Sequence, residues 1–96
     1  MAKIIDITEK LNFDENPRIK IKNVEIEVNA DASTVLKIMQ ASGKPEAEAI
    51  PEMYELLFVE SERKKIEKLK LKFKDFSALI EAAMDSAVGV DNPVGE

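Results

Sequence analysis

The residues of this chain that could do chemistry are its carboxylates, and their spacing does not pair them for acid–base catalysis. Glu46 and Glu48 lie near Pro45 in a predicted loop, where we interpret them as solvated rather than catalytic. Asp31 is better explained as a helix N-cap than as a metal ligand. The 96 residues include neither histidine nor cysteine, which removes the commonest general base, the commonest transition-metal ligand and a thiolate nucleophile. We therefore predict a non-enzymatic protein without catalytic residues, metal ligands or cofactors.

The glycines, serines and aromatic residues add no catalytic or nucleic-acid-binding motif. The three glycines are isolated, so they form no phosphate-binding loop, and no serine occupies a nucleophile-elbow sequence. The scattered aromatic residues make no stacking platform for single strands, and the net charge of −5 opposes binding to nucleic acid or an anionic membrane. No apolar run approaches the roughly 18 residues of a transmembrane helix, and the first residues lack a signal-peptide pattern. We expect a cytoplasmic protein that binds neither nucleic acid nor membrane.

One segment is locally basic, although the chain as a whole is acidic. Seven Lys or Arg residues and three Glu lie between Glu60 and Lys74. One interpretation is a solvated helix face with i,i+4 pairs such as Glu60–Lys64. The other is an electrostatic docking surface for an acidic partner, whose candidate residues are Lys64, Lys65 and Lys68.

The first secondary-structure element that the sequence predicts is a β-hairpin over about 18–28. Apolar and charged residues alternate on both sides of Lys22 and Asn23, but the two apolar sets are out of step by one residue. A two-residue turn at this point corrects the parity and brings all five apolar side chains to one face. The predicted pairs are Ile21–Val24, Lys20–Glu25, Ile19–Ile26 and Arg18–Glu27.

Four helices are predicted after the hairpin, over about 32–42, 51–59, 61–70 and 75–88. The first is capped by Asp31 or Ser33 and stops before Gly43. We expect its apolar stripe to pack on the hairpin; the stripe comprises Ala32, Val35, Leu36 and Met39.

The later helices are bounded by proline, aspartate and glycine. The second begins near Pro51, because proline fits the first turn of a helix, and residues 46–50 are assigned to a loop or a short turn. The third runs to about Lys70 and is followed by an extended joint, although residues 69–73 also alternate as in a strand. The last begins with Asp75 as its N-cap and ends at Gly89, with an apolar stripe of Phe76, Leu79, Ile80, Ala83, Met84 and Ala87.

The chain is predicted to be one α+β domain over 1–96. Residues 1–16 form a loosely attached N-terminal segment whose part 4–12 fits either a short strand or a helix. Residues 90–96 form a flexible tail.

The apolar helix stripes have two possible roles. Methionine-rich stripes can serve an adaptable binding surface, or they can fill the core. The candidate partner or oligomer surface comprises Met53, Leu57, Phe58, Ile80 and Met84.

Three sequence phrases lie between residues 19 and 89: IKIKNVEIEVNADASTVLKIM over 19–39, MYELLF over 53–58 and KLKFKDFSALIEAAMDSAVG over 70–89. They resemble the small tail assembly chaperones of long-tailed phages and prophages of Gram-positive bacteria. The resemblance implies a small, acidic, non-enzymatic protein that binds the tape measure protein and keeps it soluble until tail tube subunits polymerise around it. It also implies self-association and absence from the finished particle.

Two other classes of function fit the same residues. One is a homo-oligomeric structural or connector protein of a phage particle, which would be present in purified particles. The other is a small bacterial protein-binding adaptor, which would have a folded globular client.

Overall fold

The computed structural model describes residues 2–11 and 15–89. A two-stranded antiparallel hairpin, β1 (Arg18–Ile21) and β2 (Val24–Glu27), precedes four helices. These are α1 (Ala32–Ala41), α2 (Glu46–Leu57), α3 (Glu60–Leu69) and α4 (Phe73–Val88). The predicted α+β class is confirmed. The predicted tail at 90–96 and residues 12–14 lie outside the described residues.

The hairpin has the register that the parity of its apolar residues predicts. All four expected pairs are present, from Ile21 opposite Val24 to Arg18 opposite Glu27. The positive φ that the tight turn needs falls on Lys22, at 56°. The ion pair on the polar face is diagonal, with 3.5 Å between Arg18 Nη1 and Glu25 Oε1, rather than directly across the pairs.

Helix α3 packs against β2 and closes its outer edge. The backbone N–H of Glu27 donates to Glu62 Oε1 at 2.9 Å, and Lys65 Nζ donates to the backbone oxygen of Glu25 at 3.0 Å. Charged partners strengthen such hydrogen bonds. One outward N–H and one outward carbonyl on the edge of β2 are therefore bonded by side chains of α3 instead of by a third strand.

Helix α1 uses a different face from the predicted stripe. Its buried residues are Thr34, Ile38 and Ala41, whereas Leu36 and Met39 are exposed. The helix packs on α2 rather than on the hairpin. Ala41 on α1 and Ala49 on α2 are both buried. The predicted stripe was wrong for Ala32, Leu36 and Met39, which are exposed, whereas Val35 is partly buried against the core.

Helix α2 begins at Glu46, five residues before the predicted start, with Pro51 inside the helix. The missing N–H of Pro51 would have bonded to the carbonyl of Ala47, one turn earlier. Both residues are exposed, so water can hydrate that carbonyl. The segment assigned to a loop is helical because Ala49 is buried against the core.

The joint between α3 and α4 is short. Lys70 takes a left-handed conformation with φ 56°, Lys72 is extended, and α4 begins at Phe73 rather than at Asp75. The alternating residues 69–73 form no strand, because Leu69 ends α3 and Phe73 starts α4. At the other end α4 stops at Gly89 with φ 85°, as predicted.

The first described segment, residues 2–11, makes neither the strand nor the α-helix considered for 4–12. It contains one 3-10 turn, Thr8–Lys10. The carboxylate of Asp6 accepts hydrogen bonds from Thr8 N–H at 3.0 Å and Thr8 Oγ1 at 2.6 Å, and these bonds lower the pKa of Asp6. The apolar side chains of this segment are exposed: Ile4, Ile5, Ile7 and Leu11.

Candidate protein-binding groove

Three aromatic rings join α2 to the first turn of α4. The ring of Tyr54 lies edge-on to Phe76, with 5.0 Å between the ring centroids, and Phe73 lies 6.5 Å from Phe76. Phe73 and Phe76 are three residues apart, so they share one face of α4. Tyr54 also contacts buried Phe58, with 5.9 Å between the centroids. The cluster therefore reaches from the core to the surface.

Hydrogen bonds fix the polar end of Tyr54. Its hydroxyl donates to the backbone oxygen of Arg63 at 3.3 Å, and Arg63 Nη1 donates to the backbone oxygen of Phe58 at 2.6 Å. The second bond satisfies a carbonyl at the end of α2. Burial, assisted by the charge of Glu67 and opposed by Arg63, raises the pKa of Tyr54. The phenol is neutral at neutral pH and acts as a positioned donor.

An apolar depression of about 480 Å³ lies beside these rings, between α2 and α4. The side chain of Phe73 is on its wall and is 66% exposed. Glu46 is the one charged residue among those that line it: Glu46, Ala47, Ile50, Pro51, Tyr54, Phe73 and Phe76.

Two further depressions share lining residues with the first. One of about 500 Å³ shares Glu46 and Ile50 and extends along α4 to Met84. The other, of about 270 Å³, shares Tyr54 and Phe76 and extends to Ile66 and Leu71 on the α3 side. We call this combined surface the α2–α4 groove. From Phe73 to Met84 it follows α4 for about 17 Å, or three helical turns.

The apolar residues predicted as a partner surface divide between the core and the groove. Met53, Leu57 and Phe58 are buried in the core of the single chain and line none of the three depressions. Ile80 is buried, and Met84 half-buried, under the second depression. The first three side chains therefore belong to the core and do not form the surface of the groove.

The three lysines that were predicted as a docking surface lie on the exposed side of α3. Lys65 contacts Glu62 at 3.0 Å as well as β2, and Lys64 Nζ lies 4.0 Å from Glu60 Oε2, the predicted i,i+4 pair. Lys68 is exposed. The structure does not join these three residues to the α2–α4 groove.

Phe73 and Ile50 are the groove residues that sequence reasoning missed. Phe73 was placed on the predicted extended joint and Ile50 in the predicted loop, so neither was considered as a surface residue of a helix. The available signal was the Phe73–Phe76 spacing at the start of an apolar stripe too wide to be covered by one neighbouring helix.

Within residues 2–11 and 15–89, no cluster of three acidic side chains is placed to hold a metal ion. No helix in this part of the chain is long and apolar enough to cross a bilayer.

Comparison with known proteins gave no matching family model, no matching curated protein and no matching solved structure. The function must therefore be argued from the groove and from the sequence phrases.

Proposed function

We propose that this chain is a non-enzymatic tail assembly chaperone that binds the tape measure protein in the bacterial cytoplasm during phage tail assembly. The observation that supports this proposal is the α2–α4 groove, whose first depression is mainly apolar and is bounded by aromatic rings. The sequence phrases that resemble tail assembly chaperones point to the same kind of client. A chaperone for a long helical polypeptide requires such a surface and needs no active site.

The groove suits an amphipathic helix of the client. Its three-turn length matches the i, i+3 or i+4, and i+7 anchors by which an amphipathic helix binds a groove. Phe73 supplies an accessible ring at one end, and Met84 supplies an adaptable apolar side chain at the other. A long client offers many such helices, so several chaperone copies can bind along it and gain avidity.

Phe73 carries the largest expected share of the binding energy. An aromatic side chain buries on the order of 150–250 Å² when covered. Covering the exposed 66% of Phe73 contributes about 2–4 kcal/mol at roughly 25 cal/mol per Å². Because this ring is already exposed in the free protein, its removal leaves no core cavity.

The test is co-expression with the tape measure protein of the same genome. We expect Phe73→Ser to lower the yield of soluble tape measure protein and to weaken its binding at least tenfold, in line with about 1.4 kcal/mol or more. The matched control is Leu36→Ser on α1, because Leu36 is similarly exposed at 61%. Thermal melts of both variants should stay close to the parent.

The controls also separate the other classes of function. Equal effects of the two substitutions, or no effect of either, would contradict binding in the groove. Recovery of the chain from purified particles would instead identify a structural or connector protein. Selective binding to a folded globular host protein, with none to the tape measure protein, would identify an adaptor.

A further inference from the structure

The outer edges of β1 and β2 differ in the hydrogen bonding of their outward backbone groups. In the observed register Ile21 and Val24 flank the two-residue turn, so Arg18 and Lys20 direct their backbone groups away from β2. On β2, one outward group of each equivalent residue is bonded: the Glu27 N–H by Glu62 and the Glu25 carbonyl by Lys65. On β1, the described residues make no hydrogen bond to the outward N–H and C=O groups of Arg18 and Lys20. The β1 edge can therefore accept a strand.

An apolar depression of about 520 Å³ lies beside this edge. Its apolar lining comes from β1, the end of α3, the joint that follows it, and α4: Ile19, Ile21, Leu69, Leu71, Ala78 and Leu79. Three lysines, Lys22, Lys70 and Lys72, surround it with a single carboxylate, Asp75. A strand added here would place alternate side chains over the apolar lining and the others beside basic residues. The surface therefore fits an extended segment in which apolar and acidic residues alternate.

The chain itself contains such a segment. In residues 2–11, which we call the N-terminal arm, Ile5 is 73% exposed and Ile7 is about half exposed, with Asp6 between them. In an extended conformation the two isoleucines would share one face and Asp6 would lie on the other. The arm therefore carries exposed apolar groups that have no cover in the single chain.

We propose that the N-terminal arm of a second copy of this chain adds to β1 as an antiparallel strand. The register that covers both isoleucines sets Ile5 beside Ile21 and Ile7 beside Ile19. The same register sets Asp6 beside Lys20, an opposite-charge pair on the polar face of the sheet. When the strand forms, the turn between Asp6 and Thr8 opens. The Asp6 carboxylate then loses its hydrogen bonds from Thr8 and pairs with the Lys20 ammonium.

Reciprocal exchange of two arms gives a dimer with two-fold symmetry. Each copy then supplies one arm and one β1 edge, which is the self-complementary arrangement of an isologous contact. This inference goes beyond the proposed function, because the arm and the β1 edge lie outside the α2–α4 groove. It is tested on the pure chain without any client, so its failure would not bear on tape measure binding.

The experiment is sedimentation of the full chain over a range of concentrations, with charge substitutions at the proposed pair. We expect a dimer for the parent chain and at least tenfold weaker association for Asp6→Lys and for Lys20→Asp, since each sets like charges side by side. The double variant carrying both substitutions should restore association. Glu9→Lys is the matched control, because it makes the same charge change in the arm outside the paired residues.

Each outcome decides the proposal. Loss with either single substitution, recovery in the double variant and little effect of Glu9→Lys would support arm exchange. A parent chain that stays at the mass of one copy would overturn it, and would leave addition of the arm to its own β1 as the remaining possibility. A dimer that is insensitive to Asp6→Lys, or that the double substitution fails to restore, would place the contact elsewhere.

Discussion

Glu62 connects α3 to the edge of β2, and its replacement by glutamine tests that connection quantitatively. Its carboxylate accepts the N–H of Glu27 at 2.9 Å and contacts Lys65 Nζ at 3.0 Å, and its side chain is only 12% exposed. Glutamine keeps an oxygen for Glu27 but removes the charge. Hydrogen bonds to charged groups contribute about 1.5–3 kcal/mol and neutral ones about 0.5–1.5. We therefore expect Glu62→Gln to lower the free energy of unfolding by about 1–2 kcal/mol at pH 7.

The same contacts make this loss depend on pH. Burial opposes ionisation of Glu62, but the Glu27 N–H and the Lys65 ammonium outweigh it, so the pKa of Glu62 is below its ordinary value of 4.5. A carboxyl whose pKa is lower in the folded state stabilises the fold above its unfolded-state pKa. That contribution is lost as the pH falls through the lower, folded-state pKa. The loss of unfolding free energy that Glu62→Gln causes should therefore be constant above about pH 6 and shrink below about pH 4.5.

The assay is urea unfolding followed by circular dichroism at a series of pH values. Glu60→Gln is the matched control on the same helix, because Glu60 has a side chain that is 76% exposed and pairs with Lys64 only at 4.0 Å. An exposed pair of this kind contributes about 0–1 kcal/mol. Equal deficits for the two variants, or a Glu62→Gln deficit that does not change with pH, would refute the role assigned to Glu62.

Two further substitutions test the core and α2. Ile26→Lys should cost about 4 kcal/mol or more and unfold the chain, because Ile26 is fully buried and an unpaired charge there has no partner. Glu25→Gln, on the exposed face of the same strand, should melt within a few degrees of the parent, and an unchanged melt of Ile26→Lys would contradict the hairpin face. Pro51→Ala should raise the free energy of unfolding by about 1–2 kcal/mol, since proline disfavours a helix interior by about 3 kcal/mol relative to alanine and the unfolded chain regains part of this. Pro45→Ala, at the N-cap, should give no such gain, and a Pro51→Ala variant less stable than the parent would show that the proline is needed.

The parts of the fold that sequence predicted are those that local rules determine. The hairpin register follows from a period of two and one turn length, which leave a single arrangement that puts Ile19 and Ile26 on one face. The end of α4 follows from Gly89, which takes the left-handed conformation without the steric cost of a side chain. Neither result depends on how the helices pair.

The errors lie where helix pairing overrides a local preference. Proline favours the first turn of a helix, yet α2 extends back to Glu46 because burial of Ala49 in the core outweighs one missing hydrogen bond. On α1, Leu36 and Met39 face solvent, whereas Thr34, Ile38 and Ala41 are buried. The face of α1 that is buried depends on the neighbouring helix, and a single-helix stripe contains no information about that partner.

The α2–α4 groove could not be predicted for the same reason, and its construction limits how it can be changed. Tyr54 and Phe76 contact each other at 5.0 Å and hold α2 to α4, so their removal would damage the fold and the groove together. Phe73 contacts the same cluster from its exposed side, at 6.5 Å from Phe76, and contributes little to the core. Binding and stability are therefore separable at Phe73 but not at Tyr54 or Phe76, and a loss of client binding is interpretable only when it is produced at Phe73.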